Sequence, residues 1–472
     1  MKDIEVIEPS IGSRTIIASE YLLLDSDVIN GGGTDETMKI QTLLDKAVEW
    51  GGLHLYMDGA TLVSDCLKVH SNTVIECPTA DCGFFLKSGS DTSLICNADA
   101  DRKIIRNRNI TLQGGTYNFN SPGQNRYKGY DPNGIMELDP RFFAYEWTHG
   151  MRFFGIENLN IRDVVMLNQR TYAALFCNWK HINIENVDIP LPDNQYAQNQ
   201  DGLHFFGPGE WLNIRNLSGV SGDDIIALTP DENDLVSSIT DVVIDGLYLR
   251  NADQAVRLLS RRQGRLDRIV IRNVHGTYKS CGFFINPWFG EDTGNVGSIV
   301  FENIHLQPTY HKYSAYSTPF LFRIGGYIES ITLKNIKSIN QADSRPLIEV
   351  TNVYSRWDFN HKFVHVKNLS IDGLEVVNVK GCQEKTAYIT VDSEVENLSI
   401  RNVTVTRAEK NRDVLLQLKE GARIGVLDLS HIITENIGGV VEQENGVSVE
   451  ICLEDAVVVD RRKATAFTDQ TD

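Results

Sequence analysis

The sequence predicts an all-β fold, a right-handed single-stranded parallel β-helix, and three observations lead there. A short alternating phrase ending in Asn, Asp or Gly recurs along the chain, its period suits a solenoid coil, and a segment near the N-terminus has the pattern of a capping helix. The phrase reads apolar, any, Ile or Leu, any, then the turn residue, then apolar. It occurs at Leu159-Asn160-Ile161-Arg162-Asp163-Val164 and at Ile182-Asn183-Ile184-Glu185-Asn186-Val187, and further copies place the turn residue at Asn216, Gly246, Asn273, Asn303, Asn335, Gly373 and Asn402. The mean step is about 30 residues. Each phrase is too short for a helix and alternates like a strand with one buried face. The residue that closes it tolerates the left-handed backbone, and stacked Asn side chains can bond into a ladder. Propeller blades need about 40–50 residues and leucine-rich repeats need denser leucines, so a solenoid fits better.

A solenoid needs its ends covered. Thr34, Asp35, Glu36 and Thr37 supply capping and first-turn residues, and Ile40, Leu43, Leu44, Ala47 and Gly51 follow at helical spacing, so residues 25–52 are expected to plug the first coil. Gly51-Gly52 are expected to end the helix, and strands to begin at Leu53-His54-Leu55-Tyr56. Residues 118–149, with Tyr127, Tyr130, Tyr145 and Trp147, interrupt the repeat as an insertion able to wall one end of a cleft, and 455–472 read as a polar tail. The whole, 1–472, is expected to be one β-helix domain, because a solenoid grows by adding coils.

Composition narrows the function. The 472 residues carry 45 Lys plus Arg against 63 Asp plus Glu, a formal charge of −18, which excludes a generally basic nucleic-acid-coating surface. The acidic first residues lack the apolar core of a secretory signal and no run is long enough to span a membrane, so the expectation is a cytoplasmic protein without a membrane partner. Cysteines 66, 77, 82, 96, 177, 281, 382 and 452 lack zinc spacing and read as reduced, buried thiols. No metal and no cofactor is expected.

Two successive turns gather carboxylates. Asn199-Gln200-Asp201-Gly202 and Gly222-Asp223-Asp224 lie one short coil apart, and the 22-residue spacing is expected to put Asp201 and Asp223 in register, roughly 4.8 Å apart at the backbone. Like charges that close raise at least one pKa, so one carboxyl can stay protonated as a general acid while a neighbour acts as base. Inverting hydrolysis of a glycosidic bond uses that division. Turn formation and calcium binding are the other uses of clustered Asp.

With these motifs on the page, the chain resembles the polygalacturonase-like enzymes of glycoside hydrolase family 28. Asn30-Gly31-Gly32-Gly33-Thr34-Asp35-Glu36 is similar to that family's opening segment, and Arg170 to Phe176 with Val187-Asp188-Ile189 to the coil before its site. Asn199-Gln200-Asp201-Gly202 is similar to its Asn-Thr-Asp-Gly motif and Gly222-Asp223-Asp224 to its Gly-Asp-Asp motif. The resemblance implies Asp223 as general acid, with Asp201 and Asp224 activating water. It also implies an oligosaccharide or polysaccharide partner.

Departures from the family are specific. Asp253-Gln254-Ala255 stands where a Gly-His-Gly is expected, so Gln254 takes the histidine's place; Phe284 and Asn286 stand where an Arg-Ile-Lys would grip a galacturonate carboxylate. Arg257, Arg261, Arg262, Arg265 and Arg268 either supply replacement cations or form a solvated loop. His204 either supports Asp201 or is a structural histidine. Tyr196 and Trp288 lie in expected loops on the active side as sugar contacts, whereas Trp179 and Trp211 read as packing. The leading expectation is an inverting glycosidase for pectin-related oligosaccharides, beside a carbohydrate-binding β-helix without catalysis and a calcium-dependent polysaccharide lyase.

Overall fold

A computed structural model describes residues 14–124, 149–191, 199–285, 293–309, 320–339, 346–351, 364–378, 387–410, 412–455 and 459–460. Among them are 29 strands, one α-helix and two single-turn 3-10 helices, an all-β architecture built of parallel rungs. The chain divides into two compact units: Met1–Thr229 with Ile239–Asp253, and Pro230–Ser238 with Gln254–Asp472. Both units have the parallel β-helix pattern expected from the repeat.

In the first unit the alternating phrase becomes a column of side chains. Leu55, Ile75, Leu112, Ile161, Ile184, Ile214 and Ile244 are register partners in turn, and all are fully buried. Burying each such side chain favours folding by about 1.5–3 kcal/mol, so the column itself fixes the stacking of the coils. A one-residue slip would turn the whole set outward. The bend after the strand holds as well: Asp163, Asn186 and Asn216 have φ of 58°, 53° and 51°, and Gly246 continues the row at 85°. Asn186 Nδ2 donates to Asp163 Oδ1 at 2.9 Å, and Asn216 Nδ2 to Asn186 Oδ1 at 3.0 Å. A second ladder runs from Asn158 to Asn109 to Asn72, each donation at 2.8 Å.

The cap helix spans Thr37–Trp50, buries Ile40, Leu43, Leu44 and Ala47, and stops at Gly51 with φ 75°. Gly51 therefore ends the helix and adds nothing to its apolar face. The strands do not begin at Leu53: Thr15–Ile17 precedes the helix and pairs in parallel with Leu53–Tyr56. Three residues are too few for a period to register in sequence.

The second unit repeats the design with its own column, Ile271, Phe301, Leu333, Ile371, Ile400 and Leu429. Asn273, Asn303, Asn335, Gly373 and Asn402 close its phrases, all at positive φ. Asn303 and Asn335 each bond to the preceding Asn, at 3.0 and 3.1 Å. Strand Ser448–Asp455 pairs with Arg423–Glu435 and exposes Ile451, Cys452 and Leu453. Cys452 thus departs from the expectation of buried thiols, as does Cys66, which is only partly covered. Cys382 lies outside the described residues, as do residues 125–148 of the expected insertion and, apart from Asp455, Val459 and Asp460, the polar tail.

Candidate active site

The acid motifs lie in the first unit, at the start of strands Leu203–Phe206 and Asp224–Thr229. Leu203 pairs with Ile226 and His204 with Ala227, so the partner of Asp201 is Asp224. The expected Asp201–Asp223 register is off by one. The cause is local: Asp224 already belongs to its strand, whereas Asp201 and Gly202 still belong to the turn before theirs. Gly202 N donates to Asp224 O at 2.9 Å, and a Cβ on Gly202 would lie 2.4 Å from Ile225 O, so only glycine lets the two coils approach.

The same rung bond recurs on the preceding coils. Ala173 N donates to Asp201 O at 3.0 Å and Gly150 N to Tyr172 O at 2.9 Å, which aligns His149, Tyr172, Asp201 and Asp224 in one column. Asp201 is 3% and Asp224 7% exposed, while Asp223 is half-buried and accepts Asn199 N at Oδ2 over 3.2 Å. Asp223 is thus the most exposed of the three.

His204 joins this group. Its Nδ1 lies 2.7 Å from Asp201 Oδ2 and its Nε2 3.0 Å from Thr229 Oγ1. Thr229 Oγ1 in turn donates to Phe205 O at 3.3 Å, so one ring nitrogen of His204 is engaged by the buried carboxylate and the other by a hydroxyl held by the backbone. His204 is therefore buried and in direct contact with Asp201.

Tyr172 stacks between His204 at 4.3 Å and His149 at 4.4 Å. Both ring faces are covered, so Tyr172 is a wall and offers no platform to a sugar. His149 is held by Thr171 Oγ1 at 2.8 Å, and burial, with the charge of His204, keeps its pKa well below the usual value. Gln169 is fully buried, accepts a bond from Gln200 Nε2 at its backbone carbonyl, and finds no partner for its side-chain carboxamide among the described residues. His149, Tyr172, Thr229 and Gln169 were not singled out as site residues in the sequence. Of the four, only Tyr172 falls in a segment the sequence had marked, Arg170 to Phe176, which the resemblance put on the coil before the site.

Gln254 and Arg257 belong to the second unit, each 3% exposed. Gln254 Oε1 accepts the Cys281 thiol at 3.0 Å, and the Arg257 guanidinium lies 3.9 Å from the centre of the buried Phe284 ring. Arg265 pairs with Asp267 and Glu329, and Arg268 with Asp267. Those two arginines therefore have local partners and fit the solvated-loop reading. Trp179 is buried with Nε1 bonded to Phe206 O, and Trp211 stacks on His181 at 4.5 Å, both as packing. Tyr196, Asn286 and Trp288 lie outside the described residues. Among the described residues no three His, Cys, Asp or Glu side chains converge as a metal-ligating set.

No family model and no curated protein matches the chain. Solved structures resemble the chain at low identity. An exopolygalacturonase from Thermotoga maritima is 14% identical over 94% of this chain and 93% of that one, with a TM-score of 0.47. The A-module of the Azotobacter vinelandii mannuronan C-5 epimerase AlgE4 is 13% identical over 94% and 100%, also at 0.47. The tailspike of E. coli bacteriophage HK620 is 9% identical over 89% and 77%, at 0.48. What this chain does is therefore argued from its own residues.

Proposed function

We propose that the protein is an inverting glycoside hydrolase acting on pectin-related oligosaccharides, with Asp223 as general acid and Asp201 and Asp224 holding the attacking water. The observation that carries this reading is the register of Asp201 with Asp224, with Asp223 next in the chain and more exposed. Asp223 gives its proton to the glycosidic oxygen as the bond to the anomeric carbon breaks. Water attacks that carbon from the opposite face, and its proton passes to the buried pair. His204 is a positioning residue, since its bond to Asp201 Oδ2 fixes that carboxylate's direction.

The test is a screen of pectic and neutral oligosaccharides with wild type and Asp223→Asn, following new reducing ends, their anomeric configuration and any unsaturated products. Wild type is expected to release inverted reducing ends, and Asp223→Asn to be slower by about 10²–10⁴-fold. Unchanged turnover in the variant, or unsaturated products from the wild type, would overturn the assignment.

A further inference from the structure

Outside the acid site, the first unit holds a second cluster of reactive groups. Cys66 Sγ and Cys96 Sγ lie 3.0 Å apart on neighbouring coils, and neither is in a disulfide. Cys96 is flanked in register on both sides by cations: Lys68 is its partner on the preceding coil and Arg152 on the following one. Cysteines gain nucleophilic character where the thiolate is stabilised by such neighbours and by a hydrogen-bond donor. Cys66 is partly exposed and Cys96 only 6% exposed, so a small molecule reaches the pair more readily than a bulky one.

We propose that Cys66 and Cys96 form a peroxide-reactive dithiol, with Cys96 as the attacking thiolate and Cys66 as the resolving thiol. The Cys96 thiolate attacks one peroxide oxygen, the O–O bond breaks, and hydroxide leaves to take up a proton as water. The sulfur of Cys66 then displaces the hydroxyl from the Cys96 sulfenic acid, and that hydroxyl leaves with the Cys66 proton as a second water. Two thiols are oxidised to one disulfide and one peroxide is reduced to two waters.

The ionisation pattern agrees with these roles. The hydrogen bond from Cys66 and the charges of Arg152 and Lys68 hold the Cys96 thiol below its ordinary pKa, while the same bond and burial push Cys66 well above its own. Cys77, buried beside Cys82 and Glu76 with no such cations, is pushed up. The pair also adjoins the column of the acid site. Arg152 lies three residues after His149, and Leu94 N bonds to Gly150 O at 2.8 Å.

The experiment needs no substitution at first. The full chain is treated with hydrogen peroxide at neutral pH, remaining thiols are alkylated, and a non-reducing digest is read by mass spectrometry. The Cys66–Cys96 linked peptide is expected to appear before the exposed Cys452 is oxidised. Arg152→Gln is expected to slow its appearance about tenfold, and Cys66→Ser to stop at a sulfenic acid on Cys96 that dimedone traps. Oxidised glutathione is expected to leave Cys96 unmodified. Oxidation of Cys452 first with Cys66 and Cys96 both alkylated, or dimedone found on Cys66, would overturn the proposal.

Discussion

A carboxylate as deeply buried as Asp201 needs partners for its charge, and the His204 imidazole at 2.7 Å is one of them. Removing it leaves Asp201 in the same place with one fewer donor. His204→Ala is expected to lower stability by about 1–3 kcal/mol, read as a shift of the denaturation midpoint, and to reduce kcat more than KM. His204→Asn, which restores a donor, should recover part of both. If His204→Ala turns over oligosaccharide like wild type, His204 is only packing and the positioning role fails. The surrounding wall explains why a small change matters: Tyr172 and His149 stack behind His204, so the ring cannot swing aside.

At the scale of the element, strands and turns are joined by the side-chain ladder at the left-handed bend. Asn186 donates to Asp163 and accepts from Asn216, both bonds exposed to water, and holds φ 53°. Asn186→Gly keeps the backbone angle and loses both bonds, an expected cost of about 1 kcal/mol, near the low end for two exposed hydrogen bonds. Asn186→Ala loses the same bonds and adds about 1 kcal/mol or more for a Cβ in the left-handed region. Urea midpoints of the two variants check the order. Equal midpoints would mean the backbone angle carries no weight at this turn.

For the whole molecule, the charge of −18 favours solubility over compactness, and titration adds to that balance. His149 is kept neutral in the folded chain because burial, and then the charge of His204, lower its pKa. The unfolded chain binds a proton there below pH about 6.5, while the folded chain does not. Stability therefore falls as pH drops below that value, by up to ~1.4 kcal/mol per pH unit from this one group. Unfolding free energies measured from pH 7 to pH 5 should show a steeper loss in wild type than in His149→Gln. Parallel pH profiles would show that His149 is protonated in the folded state.

Much of this was legible in the chain, because the signals were local. The phrase ending at Asp163, Asn186, Asn216 and Gly246 marked its own buried column and its own left-handed bend, since alternation and the freedom of Asn and Gly at positive φ are properties of a few neighbouring residues. Asp201, Asp223 and Asp224 were legible as a group for the same reason. The strand Thr15–Ile17 was too short to show, and the partner of Asp201 came out one residue away from the spacing argument. Equal spacing assumes equal turns, and here one strand starts on its acid while the other starts two residues after. The column of His149, Tyr172, Asp201 and Asp224, the clamp of His204, and the meeting of Cys66 with Cys96 join residues from different coils at unequal separations. Periodicity determined that the coils would stack; only the packed structure, through the length of each turn, decided which side chains would meet.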